Sequence, residues 1–297
     1  MTNINNSALV STSWLEENIK DPNLRILDGS WHLPPTGRSG LKEFNLQHIP
    51  GARYFDIDEI SDKNSSLPHM LPSSEYFSCC VEELGISNSN QVIVYDFEGL
   101  FSAPRVWWMF RAFGHSNVSI LSGGFNLWLK ENRPISRELT KIKPGTFKAK
   151  LNKGTVASKL QLKENLKTKK CLVIDARSSN RFSGSEPEFR PGVKSGHIPG
   201  SKNLPFNEII NANTGSFADT QSLKNSFDAI GATKDKTIIT SCGSGITACV
   251  LALGLHLIGR DNHSVYYGSW TECRSACEDM PGTINCLQLN IWLSVLV

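Results

Sequence analysis

The chain has 297 residues, 39% hydrophobic and 20% charged, with 31 Lys and Arg against 28 Asp and Glu, a formal net charge of +3. That length suits two domains of ordinary size, and the composition is that of a soluble globular protein able to build real cores. The small charge with no dense Lys/Arg run argues against nucleic-acid binding, and no apolar stretch approaches the roughly 18 residues of a membrane span. Met1 to Trp14 has neither the charged and apolar regions of a secretory leader nor the Arg-rich character of a mitochondrial presequence. A cytoplasmic location is therefore expected, with a mitochondrial one left open. Eight cysteines occur, at 79, 80, 171, 242, 249, 273, 277 and 286. In a long chain without a leader they read as reduced thiols. The nearest pair apart from adjacent Cys79 and Cys80, Cys273 and Cys277, has no His at zinc-site spacing, so no metal and no cofactor is expected.

Taken in order, the first half opens with an apolar strand ending in Asp, Leu24 to Asp28, followed by His48-Ile49-Pro50-Gly51. A helix carrying Cys79 and Cys80 leads to Leu84-Gly85-Ile86 and a second strand, Val92 to Asp96. Next come a helix-like run from Pro104 to Phe113 and a strand with a Gly-rich turn, Val118 to Gly124. The segment from Arg133 to Gly154, with Pro134, Pro144, Gly145 and many lysines, reads as a linker between domains 1–140 and 155–297. The second half repeats the series: Cys171 to Asp175, His197-Ile198-Pro199-Gly200, Ile230-Gly231-Ala232, Thr237 to Cys242, a helix from Ala248 to Leu257, then Val265 to Ser269. Asp-to-His spacing is 20 in the first half and 22 in the second; from His to the loop residue it is 48 and 45. A repeat of this kind, with strands alternating with helices, implies two α/β domains of similar topology, each a mostly parallel sheet with helices on both faces.

The halves differ at one loop. After the second-half strand stands Cys242-Gly243-Ser244-Gly245-Ile246-Thr247; the aligned first-half residue is Asp96, followed by Phe97-Glu98-Gly99-Leu100. Ligands of open α/β sheets bind beyond the carboxyl ends of the strands, where helices begin. A cysteine there faces unpaired N–H groups and the positive end of a helix, and both favour the thiolate. Glycines at 243 and 245 let the backbone curl so that N–H groups point at one anion. The competing reading is a small buried apolar cysteine before a turn. Cys171 and Cys249, inside a strand and a helix, read as core residues. His48 and His197 recur in both halves, as do Asp28 and Asp175, so these read as turn-fixing residues. Arg181 and Arg190 lie in a polar loop, 178–196, that is richer than its first-half counterpart. Arginine forks suit carboxylates, and the alternative is solvated loop charge.

Asp175-Ala176-Arg177, Gly196 to Gly200 and Cys242 to Ala248 in this order resemble the rhodanese superfamily, and within it the 3-mercaptopyruvate sulfurtransferases. Ser102 to His115 is similar to the first domain of those enzymes, and the resemblance runs from about Trp14 to Thr271. It implies two tandem rhodanese-like domains and a cycle in which the Cys242 thiolate takes sulfur from 3-mercaptopyruvate as a persulfide, releases pyruvate and passes the sulfur to thioredoxin or another thiol. By the same resemblance Arg181 and Arg190 bind the substrate, with Gly243, Gly245, Ile246 and Thr247 around it. A Ser-His-Asp relay falls on Ser244, His69 and Asp58. Thiosulfate-preferring members resemble Cys-Arg-Lys-Gly, whereas Gly243 and Ser244 stand here, so mercaptopyruvate is the expected donor and thiosulfate the alternative. The family usually keeps a tryptophan where this chain has Cys273, and the ending from there to Val297 departs from the family's, which leaves a catalytically weak sulfur-binding module as a further alternative. A cysteine phosphatase would need Cys-x5-Arg, and position 248 is Ala; a Gly-x-Ser-x-Gly hydrolase fails because position 242 is Cys.

Overall fold

The computed structural model describes residues 8–274. The readings made on the first seven residues and on the tail from 275, with Cys277 and Cys286, lie outside them. The first half contains β1 (Leu9–Val10), α1 (Thr12–Asn18), β2 (Leu24–Asp28), α2 (Gly40–Leu46), β3 (Arg53–Tyr54), α3 (Ser74–Glu83), β4 (Gln91–Tyr95), α4 (Ala103–Ala112), β5 (Val118–Leu121) and α5 (Gly124–Lys130). The second contains α6 (Lys159–Thr168), β6 (Cys171–Asp175), α7 (Ser179–Ser183), β7 (Lys202–Asn203), the short pair β8 (Ile210–Asn211) and β9 (Ser216–Phe217), α8 (Thr220–Ala229), β10 (Thr237–Ser241), α9 (Ala248–Leu257), β11 (His263–Val265) and α10 (Ser269–Arg274).

The two sheets have one topology. The first runs β1-β5-β4-β2-β3 and the second β11-β10-β6-β7, with parallel pairing throughout. Val156 makes a parallel bridge to Val265, the place that β1 takes beside β5. Central strands are covered on both faces, which is why β4 is a continuous apolar run, Val92 to Tyr95, instead of an alternating one. The repeated histidines do repeat their contacts. His48 Nδ1 lies 2.8 Å from the Phe44 carbonyl with the rings stacked, and His197 Nδ1 lies 2.7 Å from that of Phe182, again stacked.

The helices that follow the two key strands meet at the centre of the molecule. In α4 every residue except Arg111 is buried, and α9 is buried from Ala248 to Leu255. They are buried nearly all round because each packs between its own sheet and the other helix. Val106, Trp107 and Phe110 thus share one core with Leu251, Ala252 and Leu255. The segment read as a linker has little regular structure and lies strapped against the first half. Phe147 is buried against Phe77, Phe110 and His115, and the backbone of Lys150 and Asn152 bonds to Phe113 and Ala112.

Candidate active site

Cys242 stands one residue beyond β10, and the loop from Gly243 to Thr247 leads straight into α9. The sulfur is buried and accepts the Gly245 N–H at 3.1 Å. The first turn of α10 holds the loop from behind. Trp270 N donates to the Cys242 carbonyl at 2.9 Å, and Thr271 reaches the Gly243 carbonyl through both N and Oγ1. Ser269 Oγ accepts the Cys242 N–H at 3.0 Å and lies 3.8 Å from the sulfur. With its carbonyls turned outward, the loop leaves the N–H groups of Ser244, Ile246 and Thr247 without hydrogen-bond partners among the described residues. Gly245 has φ +82°, and a Cβ there would collide with the Tyr267 carbonyl.

The first half shows what such a loop holds. Asp96 occupies the position of Cys242: Phe125 N bonds to the Asp96 carbonyl as Trp270 N does to that of Cys242. Its carboxylate accepts N–H groups from Gly99, Phe101, Ser102 and Ala103 at 2.5–2.9 Å. The repeated loop is therefore an anion cradle, filled by a fixed carboxylate in one half and presented to a sulfur in the other.

Three of the expected residues come together across the halves. His69 Nδ1 lies 3.1 Å from Ser244 Oγ, and its Nε2 lies 3.0 Å from Asp58 Oδ1. The other Asp58 oxygen accepts Trp31 Nε1–H at 2.9 Å, and the Trp31 ring stands edge-on to His69 at 4.9 Å. Burial pushes His69 below its ordinary value, the Asp58 carboxylate pulls it back, and Arg105 and Arg190 push it down again. Burial works to raise Asp58, but the His69 and Trp31 contacts outweigh it and hold that carboxyl below its ordinary value. His69 sits at φ +59°, a left-handed conformation that costs a non-glycine residue energy and marks a position fixed by its surroundings.

Arg181 and Arg190 line a cavity of about 480 Å³ in front of the sulfur, together with Gly243, Ser244, Ile246 and Thr247. Gly245, also expected at the substrate, does not line this cavity; its N–H lies on the sulfur. Arg181 is already paired, with Nη2 2.5 Å from Glu188 Oε2, and Arg177 holds the other Glu188 oxygen at 2.6 Å while also gripping Asp175. Arg190 makes no ion pair among the described residues and stacks its guanidinium on Phe189. No group of His, Cys, Asp and Glu suited to a metal ion occurs among the described residues.

A rhodanese-like domain model matches residues 11–131 and again 158–276. The chain belongs to the rhodanese family. Over 271 residues it is 44% identical to 3-mercaptopyruvate sulfurtransferase of Mus musculus, covering 89% of this chain and 91% of that one. Over 272 residues it is 44% identical to thiosulfate sulfurtransferase of Bos taurus, with the same coverage. The crystal structure of SseA from Escherichia coli, described as a 3-mercaptopyruvate sulfotransferase with the rhodanese fold, superposes with a TM-score of 0.82 at 38% identity, over 89% of this chain and 99% of that one. The protein is a sulfurtransferase enzyme. Both halves are rhodanese-like domains, and they repeat one sheet order.

Cys273, where the sequence reading expected a tryptophan, is fully buried with its sulfur 3.4 Å from the Tyr266 hydroxyl, so the last described helix is seated in the core. Sequence reasoning missed Trp31, Arg105, Glu188, Ser269 and Thr271. Glu188, between the two candidate arginines, Ser269, ending a repeated turn, and Arg105, inside the family-like stretch Ser102 to His115, each carried a signal.

Proposed function

We propose that this enzyme takes sulfur from 3-mercaptopyruvate onto Cys242 as a persulfide and passes it to thioredoxin or another small or protein thiol. The observation that carries this reading is the meeting of Ser244, His69 and Asp58 across the two halves beside the Cys242 loop. The Cys242 thiolate attacks the thiol sulfur of the substrate, the S–S bond forms, and the carbon–sulfur bond breaks to leave the enolate of pyruvate. The proton lost from the substrate thiol returns at carbon. His69, kept neutral by its burial and holding its proton on Nε2 toward Asp58, accepts the Ser244 hydroxyl at Nδ1, so Ser244 has a proton path at the reacting end. The new terminal sulfur carries the charge into the N–H cradle that Asp96 fills in the other half. Arg190, and Arg181 sharing Glu188, orient the substrate carboxylate and carbonyl.

The relatives of equal identity include enzymes named for either donor, so the choice rests on the site. Around the sulfur, Arg105, Arg177, Arg181 and Arg190 face Asp58, Asp175 and Glu188, and the loop itself supplies no cation. That near balance suits a monoanionic carboxylate better than a sulfonate-like dianion. The six described cysteines are free thiols, which fits the reducing cytoplasm or mitochondrial matrix.

The test is pyruvate release from 3-mercaptopyruvate with a thioredoxin system, comparing the protein with Cys242→Ser. Turnover is expected to vanish in the variant and, in the wild type, to exceed that with thiosulfate and cyanide. Turnover that survives in Cys242→Ser removes the nucleophile, and a reversed donor order makes this the thiosulfate enzyme.

A further inference from the structure

The first half contributes one more group to the reactive loop, and it is charged. Arg105 lies in the first turn of α4 and is buried to 1% exposure. Its Nη2 donates to the His69 carbonyl at 2.5 Å and its Nη1 to the Gly245 carbonyl at 3.2 Å. The guanidinium lies over the Trp108 ring, 4.7 Å from the centroid, and its Nε has no hydrogen-bond partner. No carboxylate pairs with it among the described residues. The groups that face it are the Cys249 thiol from α9, the Tyr267 phenol beyond β11, the His69 backbone, and Cys242.

A buried cation without a counter-anion is costly and persists where an anion answers it. The backbone carbonyls take two of its donors but not its charge. Of its neighbours, Cys249 is pushed up to about 12 by burial, and burial likewise raises the Tyr267 phenol, so neither is anionic near neutral pH. Cys242 remains. The same guanidinium also fixes both sides of the nucleophile. It holds the left-handed His69 backbone, and with it the ring on Ser244, and it holds Gly245, whose N–H lies on the sulfur.

We propose that Arg105 is the positioning residue of this site: a cation lent by the nucleophile-free half that balances the sulfur anion of Cys242 and locks Gly245 and His69 in register. The proposal builds on the assignment of Cys242 as the sulfur carrier. It also gives the first half a role at the site beyond supplying His69 and Asp58.

The test is alkylation by neutral iodoacetamide, followed at Cys242 by mass spectrometry, which needs no turnover. A failure of the mercaptopyruvate reading would therefore leave it intact. Arg105→Met is expected to alkylate about tenfold more slowly than wild type at pH 7, with the gap closing toward pH 10, where the thiolate forms unaided. Arg105→Lys is expected to recover most of the pH 7 rate. A merely structural role would slow the reaction equally at every pH, or not at all, and either result overturns the proposal. A readout that needs no variant is salt. Support from a cation sealed away from water is insensitive to ionic strength, so the wild-type rate at pH 7 is expected to change less than twofold between 0.05 and 1 M KCl (about 14 and 3 Å of screening length). A several-fold fall would mean that the solvent-facing Arg181 and Arg190 carry the charge instead, and would sink the assignment to Arg105.

Discussion

At Gly243 the absent side chain is the working feature. A Cβ there would stand 2.9 Å from Arg181 Nη2, and the residue's φ lies outside the left-handed region, so alanine is compatible with the backbone. The collision falls on the tip of a flexible side chain already divided between the cavity and Glu188. Gly243→Ala should therefore leave the thermal midpoint within about 1 °C of wild type and displace Arg181 from the substrate's carboxylate. Losing one arm of a charged contact costs about 1.5–3 kcal/mol, so KM for mercaptopyruvate should rise roughly tenfold or more while kcat changes less. Steady-state kinetics beside a melting curve checks this, and an unchanged KM would mean that Arg190 alone holds the carboxylate.

Among the repeated elements, the strand ends β2 and β6 have diverged in charge balance. Asp175 is followed by Ala176 and Arg177, and the arginine grips it at 2.7 Å. Asp28 is followed by Gly29 and Ser30, with Val106 of α4 so close to Gly29 that a Cβ would lie 2.8 Å from it. Having lost its arginine, Asp28 keeps only neutral partners such as the Ser30 N–H, and burial pushes its carboxyl from 3.8 up to about 7. Between those values the folded state binds the proton more tightly than the unfolded one. Stability therefore falls as pH rises through that range, and the full cost is present above pH 7. Asn removes the titration while keeping an oxygen for Ser30. Asp28→Asn is expected to raise the thermal midpoint by a few degrees at pH 8, with the gain shrinking toward nothing near pH 4. A gain that is flat with pH would mean that Asp28 titrates normally. Sequence spacing aligned Asp28 with Asp175 and gave them one role. The contrast of Asp175-Ala176-Arg177 with Asp28-Gly29-Ser30 is visible in the sequence, but that Arg177 turns back onto Asp175, and that Asp28 is buried without a cation, appears only in the fold.

Across the whole molecule, what was legible in the sequence is what repeats: strand ends, Pro-Gly turns, and the one loop where Asp96 and Cys242 differ. Less legible was how the halves face each other. Arg105, Trp31 and Trp107 lie in the half without a nucleophile; the stretch holding Arg105 and Trp107 stands out by its resemblance, but no spacing says that it faces the other half. The structure places Trp107 at that junction, buried in α4 with its ring 5.5 Å from His256 of α9. Because α4 and α9 are buried on every side, neither half can separate without exposing an entire helix of apolar surface. The hairpin of β8 and β9 adds a second tie, with Ser216 bonded to Ser122 and the Asn213 carbonyl to Lys130. Rhodanese-like domains joined by a flexible linker would melt independently, whereas a shared core requires that they melt as one. Calorimetry should therefore give a single transition. Trp107→Ala, at a cost of about 3–5 kcal/mol, should lower that transition by roughly 5–8 °C without splitting it. Two peaks in the variant, one of them at the wild-type temperature, would show that the halves are independent and that the Ser244–His69 contact is made between bodies free to part. A single shifted peak would show that the two halves unfold as one cooperative unit, so that the Ser244–His69 contact is made inside one folded body.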